Sequence, residues 1–373
     1  MKRTFSPPGL ILALAWLFLL LPAIQAQEST DQPDLTIDAK TRQEVLEGAI
    51  KNLNEAYVFP ETAAKMEEGI RQRIARKEYD DITSAKKFAA KLTSDLQEVS
   101  KDRHLRVSYS FGPRPLTGQK EPSPEERQQF LKYARSLNFG FEKIERLEGN
   151  VGYLDLRGFM PAEFAGATAA AAMNFLANVD ALIIDLRQNG GGDPAEVALI
   201  SSYLFDAGES VHLNSLYWRP ENSTHQWWTL PYVPGTRLGE DKPVYVLTAR
   251  RTFSAAEEFA YNLQSRKRAT VVGETTGGGA HPGGPRQIDE HFAVWVPSGR
   301  AINPVTGTNW EGTGVKPDVE TSPERAMKTA YVDALKKIIE KETDAQRQER
   351  LKKTLNKAEA ELETLGKTQT GQE

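Results

Sequence analysis

Five histidines, no cysteine and several glycine-rich turns bound the chemistry open to this chain. Thiolate nucleophiles, thiolate zinc sites and thioether lipid attachment are excluded. A hydroxyl nucleophile remains, and Ser254 is the best placed. It sits in the stretch VYVLTARRTFSAAEEFAYNLQSRKRATVVGETTGGGAHPGG, residues 244–284. The β-branched run Val244–Thr248 predicts a buried strand. Ala255–Gln264 predicts a helix with Ala256, Phe259, Ala260 and Leu263 on one face. Thr270–Gly273 predicts a second strand. Ser254 falls at the turn from strand to helix, where a hydroxyl points at the carboxyl edge of a parallel sheet. The neighbouring helix-start N–H groups could hold an oxyanion. Ser254-x-x-Glu257 also spells a capping box, worth about 1 kcal/mol to a helix without any catalysis. Position alone does not separate the two roles.

A second turn, Asp185-Leu-Arg-Gln-Asn-Gly-Gly-Gly-Asp193, runs from a strand through three glycines into a capped helix. Gly191 or Gly192 could present a backbone N–H to an oxyanion, completed by the N–H of Ala255. A phosphate-binding turn or a plain tight turn fits the same residues. The Walker pattern and a spaced GxGxxG are absent, which leaves nucleotide binding weakly supported. A serine also needs a base and a carboxylate to orient it. The histidines are His104, His212, His225, His281 and His291; His104 and His281 lie at element boundaries beside loops. Glu311, in Trp310-Glu-Gly-Thr-Gly, is a charge that turn formation does not require. Spacing alone does not join Ser254, His104 and Glu311.

The elements that must position these groups follow from periodicity. The chain has 373 residues, long enough for two or three domains, and its balance is mildly acidic at 47 Lys+Arg against 51 Asp+Glu. That argues against a nucleic-acid partner. Lys2 and Arg3, the apolar run Leu10–Leu21 and the small residues ending at Ala26 form a signal-peptide pattern over 1–26, with cleavage after Ala26 and no stable membrane insertion afterwards. A three-helix bundle is expected over 38–103. Thr41 opens its first helix, Pro60 starts the second with Met66, Ile70 and Ile74 inward, and Thr83 caps the third. An α/β core with a mainly parallel sheet follows over 104–320. Within it Pro161–Ala177 is an alanine-rich helix with Phe164, Ala171 and Phe175 inward.

An insertion at 206–242 breaks the βα rhythm. Val211–Trp218 and Thr224–Leu230 could pair as a hairpin. Trp218, Trp227 and Trp228 there are candidate substrate-binding residues, and a local mini-core explains them equally well. A helical tail over 321–366 carries Leu351, Leu355, Ala358, Leu362 and Leu365 at heptad-like spacing. It suits a docked helix or a homo-oligomer seam. No cofactor or metal ion is expected.

Four motifs, DLRQNGGG, TFSAAEEFAYNL, GETTGGGAHP and NPVTGTNWEGTGVKPD, together resemble the C-terminal-processing (tail-specific) serine peptidase family. The similarity runs from about Thr41 to Pro317 and is nearest the branch resembling interphotoreceptor retinoid-binding protein and the tricorn core protease. The resemblance implies a crotonase-like βα core and serine peptidase activity on peptides or unfolded protein. Carried over by motif, it makes Ser254 the nucleophile, His104 in DRHLRV the base and Glu311 in NWEGTG its partner. Gly191, Gly192 and Ala255 would supply the oxyanion N–H groups. Two departures stand out. Many tail-specific members use a lysine in the glycine-rich loop, and Glu274–Gly279 has none. Most carry a PDZ module, and the forty residues between Phe111 and Val151 lack room for its roughly ninety. The retinoid-binding relative implies the alternative, a periplasmic carrier of hydrophobic small molecules.

Overall fold

The computed structural model describes residues 32–112 and 123–370. The expected signal segment lies outside the described residues. Three helices, α1 (Ala39–Ala56), α2 (Pro60–Ala75) and α3 (Ala85–Ser100), come first. Their caps sit differently from expectation. Asp38 caps α1, its carboxylate accepting from the Thr41 N–H at 2.8 Å. Ser84, not Thr83, caps α3 by accepting from the Lys87 N–H. Apolar stripes including Val45, Ile50, Met66, Ile70, Phe88 and Leu92 form the bundle core, whereas Ile74 is 37% exposed at the end of α2.

The bundle is not closed by helices alone. Strand β1 (Arg106–Tyr109) pairs antiparallel with β10 (Phe292–Pro297), and β10 pairs with β9 (Gly283–Gln287). Leu105, Val107, Tyr109, Phe292, Val294 and Val296 all pack into the bundle core. Chain segments nearly 200 residues apart are thereby held at one place, just after His104.

The central sheet has six strands in the order β12-β8-β7-β4-β3-β2. β3 (Val151–Leu156), β4 (Ala181–Asp185), β7 (Val244–Thr248), β8 (Thr270–Gly273) and β12 (Val319–Glu320) run parallel. β2 (Phe141–Leu147) joins antiparallel through a hairpin. β4 and β7 are buried at every residue because both faces are covered. Leu182, Ile184, Val244 and Val246 face the helices α5 (Ala162–Phe175), α6 (Pro194–Ser202) and α7 (Ala255–Ser265). Ala181, Ile183, Tyr245 and Leu247 face α8 (Pro323–Lys341).

α5 is rotated from the expected face. Ala165, Ala169, Ala172 and Met173 are buried, and Phe175 is 59% exposed. Small alanines let the helix approach closely, so the sheet selects the alanine stripe over the bulkier residues. Between Phe111 and Val151 the described residues form α4 (Pro124–Ser136), two short 3-10 turns and β2, and no PDZ fold. β5 (His212–Trp218) and β6 (Ser223–Trp228) form the hairpin of the insertion, with β11 (Gly299–Ile302) on its other edge. The last helix, α9 (Ala345–Thr370), docks on α8, burying Leu351 and Ala358 with Leu355 and Leu362 packed alongside. No helix among the described residues is long and apolar enough to cross a membrane.

Candidate active site

Ser254 stands where β7 hands over to α7, at the C-terminal edge of the sheet. Its backbone adopts φ 54°, ψ −123°. An ordinary N-cap is extended, with negative φ. A non-glycine residue in the positive-φ region costs of the order of 1–3 kcal/mol and persists only where its surroundings enforce it. Here they do. Thr252 Oγ1 donates to the Leu186 carbonyl, the Phe253 N–H to the Asn189 carbonyl, and the Gly277 N–H to the Thr252 carbonyl. The Ser254 N–H donates to Glu257 Oε2 at 2.9 Å. The turn lifts the serine side chain at the sheet edge, as a nucleophile on a strand-to-helix corner requires.

The turn 185–193 lies directly against it. A side chain on Gly191 would come within 2.8 Å of Ser254 Cβ and 2.9 Å of the Ala255 nitrogen. Gly191, at φ 108°, therefore permits the close approach of the two turns. Its N–H, however, donates to Asn189 Oδ1 at 2.8 Å, and the Asn189 amide also donates to the Leu156 carbonyl. Among the described residues the Gly192 and Ala255 N–H groups carry no such bond. Of the three expected oxyanion donors, Gly191 is the one already committed.

His104 reaches the site from the end of the bundle. Arg103 Nη1 donates to the Gly277 carbonyl at 2.7 Å, and the His104 N–H donates to Asp102 Oδ1 at 3.0 Å. The imidazole lies against the Phe253 ring, centroids 4.5 Å apart. Gly279 backs both rings. A Cβ there would stand 2.3 Å from Phe253 Cζ and 2.7 Å from His104 Cε1. Ring and carboxylate atoms of His104, Glu311 and Asp102 lie within 4.8 Å of one another. The structure thus brings His104 and Glu311 together and sets His104 on the residue next to Ser254. No hydrogen bond joins Ser254 and His104 among the described residues.

Electrostatics at the site follow from burial. Desolvation pushes His104 down to about 4, against the opposing pull of Asp102, which keeps the imidazole neutral and able to accept a proton. Burial, then the Asp102 charge, pushes Glu311 up to about 7. Glu311 Oε2 accepts from the Ala280 N–H at 2.5 Å and lies 3.4 Å from His281 Nδ1.

The sequence reading missed the roles of three residues. Asp102 is buried, and its carboxylate accepts from His281 Nδ1 at 2.9 Å and from the Tyr57 hydroxyl at 3.2 Å. Asn189 fastens the glycine turn. Glu257, visible in the sequence only as a capping residue, gathers the Ser254, Gly278 and Gly279 N–H groups and the Thr276 hydroxyl on one carboxylate. It ties the Ser254 turn to the glycine-rich loop that backs His104. The Asp-x-His spacing of Asp102 and His104, which favours a local side-chain to backbone bond, was the one local signal available.

Trp227 and Trp228 line a cavity of about 580 Å³ with Leu199, Leu230, Pro231 and Ala198. Trp228 also stacks on His212. Trp218, at the far end of β5, does not line it and packs instead at Gly299.

A parallel βα core with a serine at a strained sheet-edge turn, beside a histidine–carboxylate cluster, places the protein in the class of α/β proteins built around a serine-centred site. Comparison with known proteins narrows the class. The family model for peptidase family S41 matches residues 150–321, and the model for the N-terminal domain of peptidase S41 in eukaryotic IRBP matches residues 36–137. Residues 150–321 thus carry a peptidase family S41 domain. It is 28% identical over 181 residues to a carboxy-terminal-processing protease of Bartonella bacilliformis, covering 47% of this chain and 39% of that protein. It is 31% identical over 176 residues to a chloroplastic C-terminal processing peptidase of Tetradesmus obliquus, covering 47% and 36%. The matched stretches therefore span less than half the length of these relatives. Among solved structures, a candidate peptidase from Parabacteroides merdae superposes with TM-score 0.54 at 19% identity, over 77% of this chain and 92% of that one. A lipoprotein from Streptococcus agalactiae gives 0.52 at 14%, over 79% and 96%. Both likenesses concern the fold.

Proposed function

We propose that the chain is an exported serine peptidase acting on peptides or unfolded protein. Ser254 is its nucleophile, His104 its base and Glu311 the carboxylate that steadies the base. The observation that carries this reading is the meeting of three distant segments. A neutral imidazole from the bundle and a carboxylate from the 310–314 loop converge beside the strained turn that presents Ser254. A ring nitrogen of His104 takes the Oγ proton as Oγ bonds to the peptide carbonyl carbon. The carbonyl electrons move to oxygen, which the Ala255 and Gly192 N–H groups receive. The C–N bond then breaks, the amine leaves with the proton from His104, and water releases the acyl group by the same steps.

Export is supported by the signal pattern of residues 1–26, and action on protein chains by the names of the relatives. The cavity lined by Trp227 and Trp228 suits an apolar side chain of the substrate. The test is Ser254→Ala. It should lower kcat for peptide hydrolysis by several orders of magnitude and abolish fluorophosphonate labelling, with circular dichroism unchanged. Equal hydrolysis by the variant would reject the assignment. The same cavity favours one competing reading, a carrier of apolar small molecules. Tight fatty-ligand binding that quenches tryptophan fluorescence, with no labelling of Ser254, would establish the carrier instead.

A further inference from the structure

The surroundings of His104 hold more ligating atoms than acyl transfer uses. Asp102, His104 and Glu311 each present one within 4.8 Å of the other two. His104 Nδ1 and Glu311 Oε1 are buried and make no hydrogen bond. Asp102 is 1% exposed, and its carboxylate is fixed by Tyr57 and His281, the kind of outer partners that orient a metal-binding carboxylate. One imidazole and two carboxylates make an open nitrogen–oxygen donor set of the type zinc takes, with a position left for water. Tetrahedral zinc wants its ligand atoms about 3.3 Å apart, given bonds of about 2.0 Å. Glu311 Oε1 is the atom free to close that gap, since the side chain is held only through Oε2 and is 16% exposed. Two guanidiniums act on the imidazole: Arg103 donates to the Gly277 carbonyl, and Arg106 lies over the Trp295 ring.

We propose that Asp102, His104 and Glu311 form a site for one zinc ion, and that zinc bound there reversibly silences the enzyme. The ion takes the ring nitrogen that faces Asp102 and Glu311 and keeps it unprotonated, so the ring's one proton sits on the other nitrogen, which then cannot accept from Ser254. The silencing rests on the peptidase reading above; the metal site rests on the donor geometry alone.

The full chain, stripped with chelator, is titrated with Zn²⁺ against a chromophoric competitor. One equivalent should bind, with affinity at least 100-fold weaker in His104→Ala. In Tyr57→Phe, which removes an outer partner and keeps the ring, it should fall on the order of 10-fold. X-ray absorption on the zinc-loaded wild-type protein, which depends on no variant folding, should show nitrogen and oxygen ligands at about 2.0 Å with imidazole scattering. Fluorophosphonate labelling of Ser254 should slow on one equivalent of zinc and recover on adding EDTA. Absence of one-to-one binding, equal affinity in His104→Ala, or a shell of oxygen alone overturns the site. Zinc binding that leaves labelling untouched overturns the silencing. A protein that binds zinc and never labels overturns the peptidase reading while keeping the metal site.

Discussion

At Gly279 the missing side chain makes room for the imidazole. A methyl group there would need space already filled by Phe253 and His104, at 2.3 and 2.7 Å. The far side offers no relief, because the Gly279 N–H is held by Glu257 and its carbonyl by the Trp310 indole. Gly279→Ala should therefore push the ring off its place. A displacement near 1 Å at a reacting group can cost on the order of 100-fold. The expected outcome is a fall of that size in kcat with KM little changed, measured on a peptide substrate. An alanine variant as active as wild type would show that His104 does not need its present position.

At the scale of elements, the docked tail is the most direct test of packing. Leu351 is 3% exposed, seated on α8 and against the Gly149 turn. Leu351→Ala should destabilise the protein by about 2–4 kcal/mol, read by denaturant unfolding. A change below about 0.5 kcal/mol would mean that α9 is not anchored there. The elements were legible in the sequence where contrast was strong. The strands β4 and β7 show as continuous apolar runs, and the hairpins show by their turns. Contrast failed in α5, where one alanine face looks like another and only the approach to the sheet chooses between them. It failed at the caps of α1 and α3, where adjacent Ser, Thr and Asp compete within one or two positions. Ser254 and Gly191 stood out because a turn must occur where they lie. Asp102 and Tyr57 did not, because Asp102 meets Tyr57 and His281 from 45 and 179 residues away and no local period encodes such contacts. Nor could composition reveal that Asn189 takes the Gly191 N–H.

For the whole molecule, buried acids set the response to pH. Burial raises Asp193 to about 6, Glu257 to about 7 and Glu258 to about 8, and holds Glu196 well above the usual carboxyl range. A carboxyl raised in the native state keeps its proton longer than in the unfolded chain. The stability it confers is full below its ordinary value near 4.5 and is lost as pH rises through the native value. Thermal stability should fall between about pH 4.5 and 8, and Glu258→Gln should flatten the upper part of that fall. A melting temperature constant over this range in the wild type would contradict it. The pairing of β1 with β10 has a further consequence for how the protein is born. The residue that would draw the proton is made early, the hydroxyl midway, and the strand that steadies the former only near residue 292. A nascent polypeptide emerging from the ribosome therefore cannot assemble the proposed site until most of its length has been synthesised.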